Sequence, residues 1–323
     1  MIKSICLFFV LLVNVGLAQE QEELPNYASA AAELMSLYNS GDYQGIFDLF
    51  NDDMKKALPR ENTIDFFNQN VNGLMGKMVE MKYATMKDGA HFYRTTFDRA
   101  IADIAISLSP SNQIMGLLIT PVRPDDLPIL ERNTTKMILP FKETVFVFWG
   151  GITEEQNYHM ADATQQYAYD ILMVENGASY KGDALKNENY FIFGKDIIAP
   201  CNARVVKVIT GVVDNVPGEM NPTQLTGNTV VLQASDEEFI LFAHLKKGSI
   251  LVEEGQDVLQ GEVIGMCGNS GNSTEPHLHL GLQNDAEFLK STGAKLFFDR
   301  LIVNGELKED YLPVKEDFIK NIN

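Results

Sequence analysis

Cysteine, tryptophan and histidine are scarce in this chain: three, one and five among 323 residues. None of the cysteines stands in a CxxC or CxH arrangement, which argues against zinc held by thiolates. Basic residues are few as well, 26 Lys and Arg against 44 Asp and Glu, for a formal net charge of -18. That excess of acid disfavours nucleic acid as a partner, and tight association with anionic polymers or lipids. Beyond the N-terminus no apolar run approaches the ~20 residues of a membrane-spanning helix, so no integral span is expected. What the chain does have is 45% hydrophobic residues, enough apolar surface to fold without staples. Its length suggests two domains, because single cores rarely grow much beyond ~250 residues.

Lys3 precedes the apolar run Ile5 to Val13, and the small-residue stretch Val15-Gly16-Leu17-Ala18 follows. A basic start, a short apolar core and a small residue before Gln19 describe a secretory signal over residues 1–18. The run is too short to span a membrane, and Asn14 interrupts it. The chain is therefore expected to be exported, to the periplasm or the medium, after cleavage near Ala18. Cys6 leaves with the signal. Cys201 and Cys267 remain, either as a disulfide or as two buried free thiols.

The next hundred residues begin with helical spacing and end with strand patterns. Ala30, Leu34 and Leu37 form one apolar stripe, and Ile46, Leu49 and Phe50 begin another after the Asn39-Ser40-Gly41-Asp42 turn. Phe66, Val71 and Leu74 suggest a further helix. Then His91 to Phe97, Ala102 to Leu108 and Ile114 to Ile119 carry β-formers. Helices followed by an antiparallel sheet imply an α+β domain over residues 25–120. The Gly41-Asp42-Tyr43 turn, the Phe50 to Met54 helix end and the Ile114-Met115-Gly116-Leu117 strand resemble a nuclear-transport-factor-2-like domain. That resemblance implies a cone-shaped fold acting as a spacer or interaction module; His91, a lone strand histidine, receives no role. Residues 121–140, with four prolines, read as a linker wrapping the next domain, and Asn133-Thr134-Thr135 has the form of a glycosylation sequon.

From 141 to 312 the chain is β-rich and punctuated by glycines, the pattern of an all-β domain of short strands or curled sheets. Four of the five histidines, His159, His244, His277 and His279, are here. In Glu275-Pro276-His277-Leu278-His279-Leu280 a strand would turn both histidines to one face and both leucines to the core. Two imidazoles on one face bind a metal together, or one binds while the other handles protons.

Around that strand stand Phe242-Ala243-His244-Leu245, the hairpin Gly255 to Gly265 and the loop Gly268 to Ser273, with Ile198-Ala199-Pro200 and Gly227-Asn228-Thr229 upstream. In this order they resemble the lysostaphin-type (LytM-type) zinc metallopeptidases over Tyr158 to Leu282. The resemblance implies an all-β peptidase domain with one Zn2+ per chain. It makes Asp170, in Tyr167-Ala168-Tyr169-Asp170, and His279 metal ligands, and His244 and His277 catalytic groups that do not bind the metal. Two His and one Asp leave a fourth position for water, whose pKa zinc lowers toward ~7. The usual first His ligand, four residues before the Asp, is Gln166 here. A variant of the family with Asn-x-His further upstream resembles Asn157-Tyr158-His159 and implies His159 as the third ligand. The implied substrate is a peptide of peptidoglycan cross-bridges or stems, or an extracellular protein. A relative that binds and activates another cell-wall hydrolase is the alternative, but such proteins lose ligands or catalytic histidines that this chain retains.

Overall fold

The computed structural model describes residues 22–122 and 129–322, so the signal expected over 1–18 lies outside the described residues. The first helix, α1 (Pro25–Ser40), opens on a proline whose missing N–H costs nothing at a helix start, and stops at Gly41 in the left-handed region, φ 76°. Tyr27, Ala31, Leu34 and Tyr38, spaced four, three and four apart, form its buried stripe. Short helices follow: α2 (Tyr43–Asp48), capped by the Asp42 carboxylate on Gly45 N–H, and α3 (Asp52–Ala57), capped by Asn51 on Met54 N–H. Next comes α4 (Arg60–Asp65), which widens into a π-helix over Phe66–Asn72 before the single turn α5 (Gly73–Met75).

These helices cover an antiparallel meander of β1 (Met78–Lys87), β2 (Ala90–Phe97), β3 (Ile101–Leu108) and β4 (Ile114–Val122). Leu34, Ile46, Phe50, Phe67, Phe97 and Ile104 are fully buried between the layers. Burying each such side chain favours the packing of the helices on the sheet by ~1.5–3 kcal/mol before the entropy cost of ordering is subtracted. His91 is buried in it, stacked on Tyr27 with centroids 3.8 Å apart.

The second half contains β5 (Val145–Trp149), β6 (Tyr169–Leu172), β7 (Asp196–Ile198), β8 (Ala203–Ile209), β9 (Asn228–Ser235) and β10 (Glu238–Leu245). Then come β11 (Asp257–Val258), β12 (Val263–Met266), β13 (Leu278–Gln283), β14 (Gly293–Ala294), β15 (Phe298–Val303), β16 (Glu306–Tyr311) and β17 (Phe318–Lys320). Except for the β7–β12 pair they form one sheet, ordered β11-β8-β9-β10-β13-β6-β5-β17-β15-β16, with β14 alongside β13. The sheet thus runs on past residue 312 through β17, which lies between β5 and β15. Ile240, Phe242, Leu278 and Leu280 face its main core, joined by Met137, Leu139 and Phe141 from the segment before β5. Asn133 is buried too, its amide donating to Thr135 and Phe297 carbonyls, so the acceptor side chain of the sequon is not presented to solvent. Cys201 and Cys267 are buried free thiols, and burial pushes Cys201 up to about 11.

Leu241 and Ala243 project from the opposite face of β10 and are covered by Ala286 and Phe288 of the segment after β13. Strand β10 is therefore apolar on both faces, which is why it reads as a continuous run, Phe239-Ile240-Leu241-Phe242-Ala243. Among the described residues no helix is long and apolar enough to cross a membrane.

Candidate metal centre

Strands β6 and β13 pair antiparallel with His279 directly opposite Asp170, Leu278 opposite Ile171 and Leu280 opposite Tyr169. The period of two then does the sorting. Leu278 and Leu280 enter the core, while His279 meets Asp170 on the other face, Nδ1 to Oδ1 3.0 Å.

His159 arrives from a separate element, a 3-10 turn over Tyr158–Ala161 that starts at Asn157. The Asn157 side-chain amide donates to the carbonyls of Ala168 and Gly151, so its Oδ1 is the accepting atom. That oxygen accepts from His159 N–H and lies 2.9 Å from His159 Nδ1, so Nδ1 carries the proton. Nε2 is left with a bare lone pair, fully buried and without a hydrogen-bond partner, 3.6 Å from Asp170 Oδ2. The ligand atoms of His159, Asp170 and His279 all lie within 4.8 Å of one another. A tetrahedral centre with ~2.0–2.1 Å bonds needs its ligand atoms about 3.4 Å apart, so only small adjustments separate this group from a zinc site. An orphaned imidazole nitrogen aimed at a buried carboxylate fits a metal of that kind, because burial without a partner otherwise costs free energy.

His244 and His277 flank the group. His244, the penultimate residue of β10, lies in a register shift and has φ 62°, a conformation non-glycine residues rarely adopt and one that costs on the order of 1–3 kcal/mol. Two hydrogen bonds hold it there, its N–H to Thr226 O and its Nδ1–H to Ser270 O, both 2.8 Å. His277 precedes β13 and donates Nδ1–H to Glu275 O at 2.8 Å, leaving Nε2 3.5 Å from Asp170 Oδ1. The His244 and His277 rings are 4.9 Å apart, and His159 and His279 4.8 Å. All five residues expected from the sequence therefore converge on one place.

The charges divide cleanly. Burial alone would raise the Asp170 carboxyl, but the neighbouring His277 and His159 imidazoles, with hydrogen bonds from His277 and His279, hold it well below the carboxylate range. Burial pushes His159 down to about 4 despite Asp170. Burial, and then the nearby His277 and His279, push His244 well below its ordinary value. For His277 burial acts in the same sense, yet the Asp170 charge and hydrogen bond outweigh it and raise the group. The centre thus pairs one ionised carboxylate with neutral His159 and His244 and with a His277 that holds a proton more tightly than a free imidazole does.

The polar loop Asn269 to Thr274 leads from Gly268 into the His277 segment. In the structure Ser270 supplies the carbonyl for His244, and Ser273 Oγ lies 3.2 Å from His277 Nδ1. Its glycines were the available signal. Gly268 backs directly onto the Leu245–Lys246 backbone, and Gly271, at φ 81°, onto Gln224 and Gly227. The centre opens into a groove of ≈ 1000 Å³ with Trp149 and Tyr158 in its lining.

Residues 190–291 match the family model of peptidase family M23, and residues 31–117 match that of a protein family of unknown function, DUF3887. The M23 match contains His244, His277 and His279; His159 and Asp170 precede it. The chain is similar to the peptidoglycan DD-endopeptidase ShyA of Vibrio cholerae, 46% identical over 56 residues, which are 17% of this chain and 13% of that protein. It is also similar to the peptidoglycan DD-endopeptidase ShyC of the same organism, 34% identical over 86 residues, 27% of this chain and 18% of the relative. The chain thus spans less than a quarter of the length of the curated relatives it matches. Among solved structures, the catalytic domain of lysostaphin from Staphylococcus simulans is 20% identical, covering 46% of this chain and 86% of that one at a TM-score of 0.28. The C-terminal half of this chain therefore carries a peptidase family M23 domain.

Proposed function

We propose that this chain is an exported zinc-dependent endopeptidase that hydrolyses peptide bonds in peptidoglycan cross-bridges or stems. The observation that carries the reading is the bare Nε2 of His159, buried beside Asp170 and His279. His159, Asp170 and His279 would hold the ion, which supplies Lewis acidity and makes a water acidic enough to attack at neutral pH.

The other groups supply the proton traffic. His244 is neutral with its Nδ1–H tied to Ser270 O, so Nε2 is the accepting atom for the proton of the attacking water. His277 has its Nδ1–H tied to Glu275 O, so its protonated form presents Nε2–H to the carbonyl oxygen as it becomes negative. As the tetrahedral state collapses, the proton taken up by His244 goes to the leaving amine. We read residues 25–120 as a nuclear-transport-factor-2-like module carried with the peptidase domain, and residues 1–18 as the export signal.

Elemental analysis of the dialysed protein should give one zinc per chain, and the protein should release new amino termini from purified peptidoglycan. His159→Ala should lose the zinc and the activity together. His277→Ala should keep the zinc and lose activity by ~10²-fold or more. A wild-type protein that takes up no zinc and cleaves nothing would overturn the reading in favour of a non-catalytic activator of another hydrolase.

A further inference from the structure

The N-terminal domain is seated on the rim of the groove that contains the metal centre. Leu289, in the segment after β13, packs against the N-terminal core, and Lys290 Nζ donates to Asp98 O at 3.4 Å. Gly73, at the end of the helical layer, faces Thr223 O, 3.5 Å from where a Cβ would stand. These contacts fall on two peptidase-domain segments that themselves line the groove, through Leu225 and Thr226 in one and Phe288 and Leu289 in the other. A second cavity of ≈ 400 Å³ lies between the domains and shares those four residues, so the same two segments separate it from the groove. Pro121 and Val122, the last residues of β4, line the groove together with His244, His277 and His279.

The groove is also too large for the centre alone. At ≈ 1000 Å³ it stands at the top of the ~300–1,000 Å³ range of small-molecule sites. The histidines and Asp170 reach only the atoms of one bond, so the remaining volume must be read by the walls. Those walls contain no Lys or Arg among the described residues; they combine Asp162 and Glu275 with apolar side chains such as Val122, Trp149 and Met220. Strand β4 is the sheet's edge, and Pro121 has no N–H to offer. Contact there is made by apolar surface and not by adding a strand.

We infer that the N-terminal domain is a working wall of the substrate groove: Pro121 and Val122 touch the substrate peptide beyond the scissile bond, so specificity belongs to two domains together. The substrate segment this wall fits is an extended peptide that lays apolar side chains against Pro121 and Val122. The inference rests on the endopeptidase reading of the C-terminal domain, and its test separates the two.

Val122→Cys and, as a second reporter, Pro121→Cys are made in the whole chain with Cys6→Ser; Cys201 and Cys267 are buried and serve as silent thiols. The rate of labelling by a soluble maleimide is measured with and without soluble cross-linked peptidoglycan fragments. At about ten times the fragment Kd, labelling of the Val122→Cys thiol should slow about tenfold. The control Lys82→Cys, on β1 at a side chain 70% exposed, should label at an unchanged rate. Val122→Trp should in turn lower kcat/KM on the cross-linked fragments by about tenfold or more at unchanged zinc content. Fragments that are cleaved yet leave both reporters unprotected would overturn the wall and leave the endopeptidase intact. Protection without cleavage would uphold the wall and remove the endopeptidase. Neither protection nor cleavage would overturn both.

Discussion

The orientation of one imidazole depends here on one amide. Asn157 spends its two amide protons on Ala168 and Gly151, and so presents Oδ1 to His159 Nδ1. Removing such an outer partner of a ligating histidine typically costs 10–100-fold in metal affinity. Asn157→Ala should therefore weaken zinc binding by ~10–100-fold in a chelator competition, with the ligands themselves untouched. The histidine it orients is one source of acid sensitivity in the zinc-free protein, with His244 acting in the same sense. His159 folds neutral with its pKa lowered from 6.5 to about 4, so between those values the unfolded chain takes up the proton and the folded chain does not. Stability must fall as the pH falls through this window, by about 3 kcal/mol from this group. His277 has the opposite sign, contributing below pH 6.5 and losing its contribution as the pH rises through its raised folded value. Urea midpoints of the zinc-free protein should thus drop from pH 6.5 to 4, and His159→Gln should flatten that slope.

At the level of the element, the strands around the candidate centre depend on close backbone approaches. Gly268 bridges to His277 on one side and backs onto Leu245 and Lys246 on the other, with no room for a Cβ. Gly268→Ala should push the His244 and His277 segments apart, costing ~1–3 kcal/mol in denaturant unfolding and more in activity than in zinc content. Here the local signals were legible. The alternation His277-Leu278-His279-Leu280 announced which side chains face the core, because strand periodicity requires nothing from the rest of the chain. The pairing of His279 with Asp170 was legible only through resemblance, since the two are 109 residues apart. The order β10-β13-β6-β5-β17 left no local trace, because adjacency between distant strands is decided by packing and not by propensity. The π-helix over Phe66–Asn72 was likewise missed, although the five-residue step from Phe66 to Val71 departs from the three-or-four spacing of an α-helix. So was the share of the groove that comes from Pro121 and Val122, which read as the start of a linker.

For the whole molecule, the excess of acidic residues has a counterpart in the groove. The net charge of -18 continues into the groove, where neither Lys nor Arg is found among the described lining residues. Peptides carrying amines meet a favourable field there, and polyanions an unfavourable one. The second feature at this scale is the reach of the ligand set, from a turn near residue 159 to a strand ending at 283. A metal held by His159, Asp170 and His279 could not help nucleate such a fold, because those three residues come together only when the middle strands of the long sheet have already paired. Zinc should therefore leave the refolding rate nearly unchanged and slow unfolding, which stopped-flow measurements in denaturant with and without the ion would resolve. A chain that leaves the cell as an unfolded thread would then arrive inert. Its working life would begin at a moment set by the supply of the ion outside, and not by the ribosome.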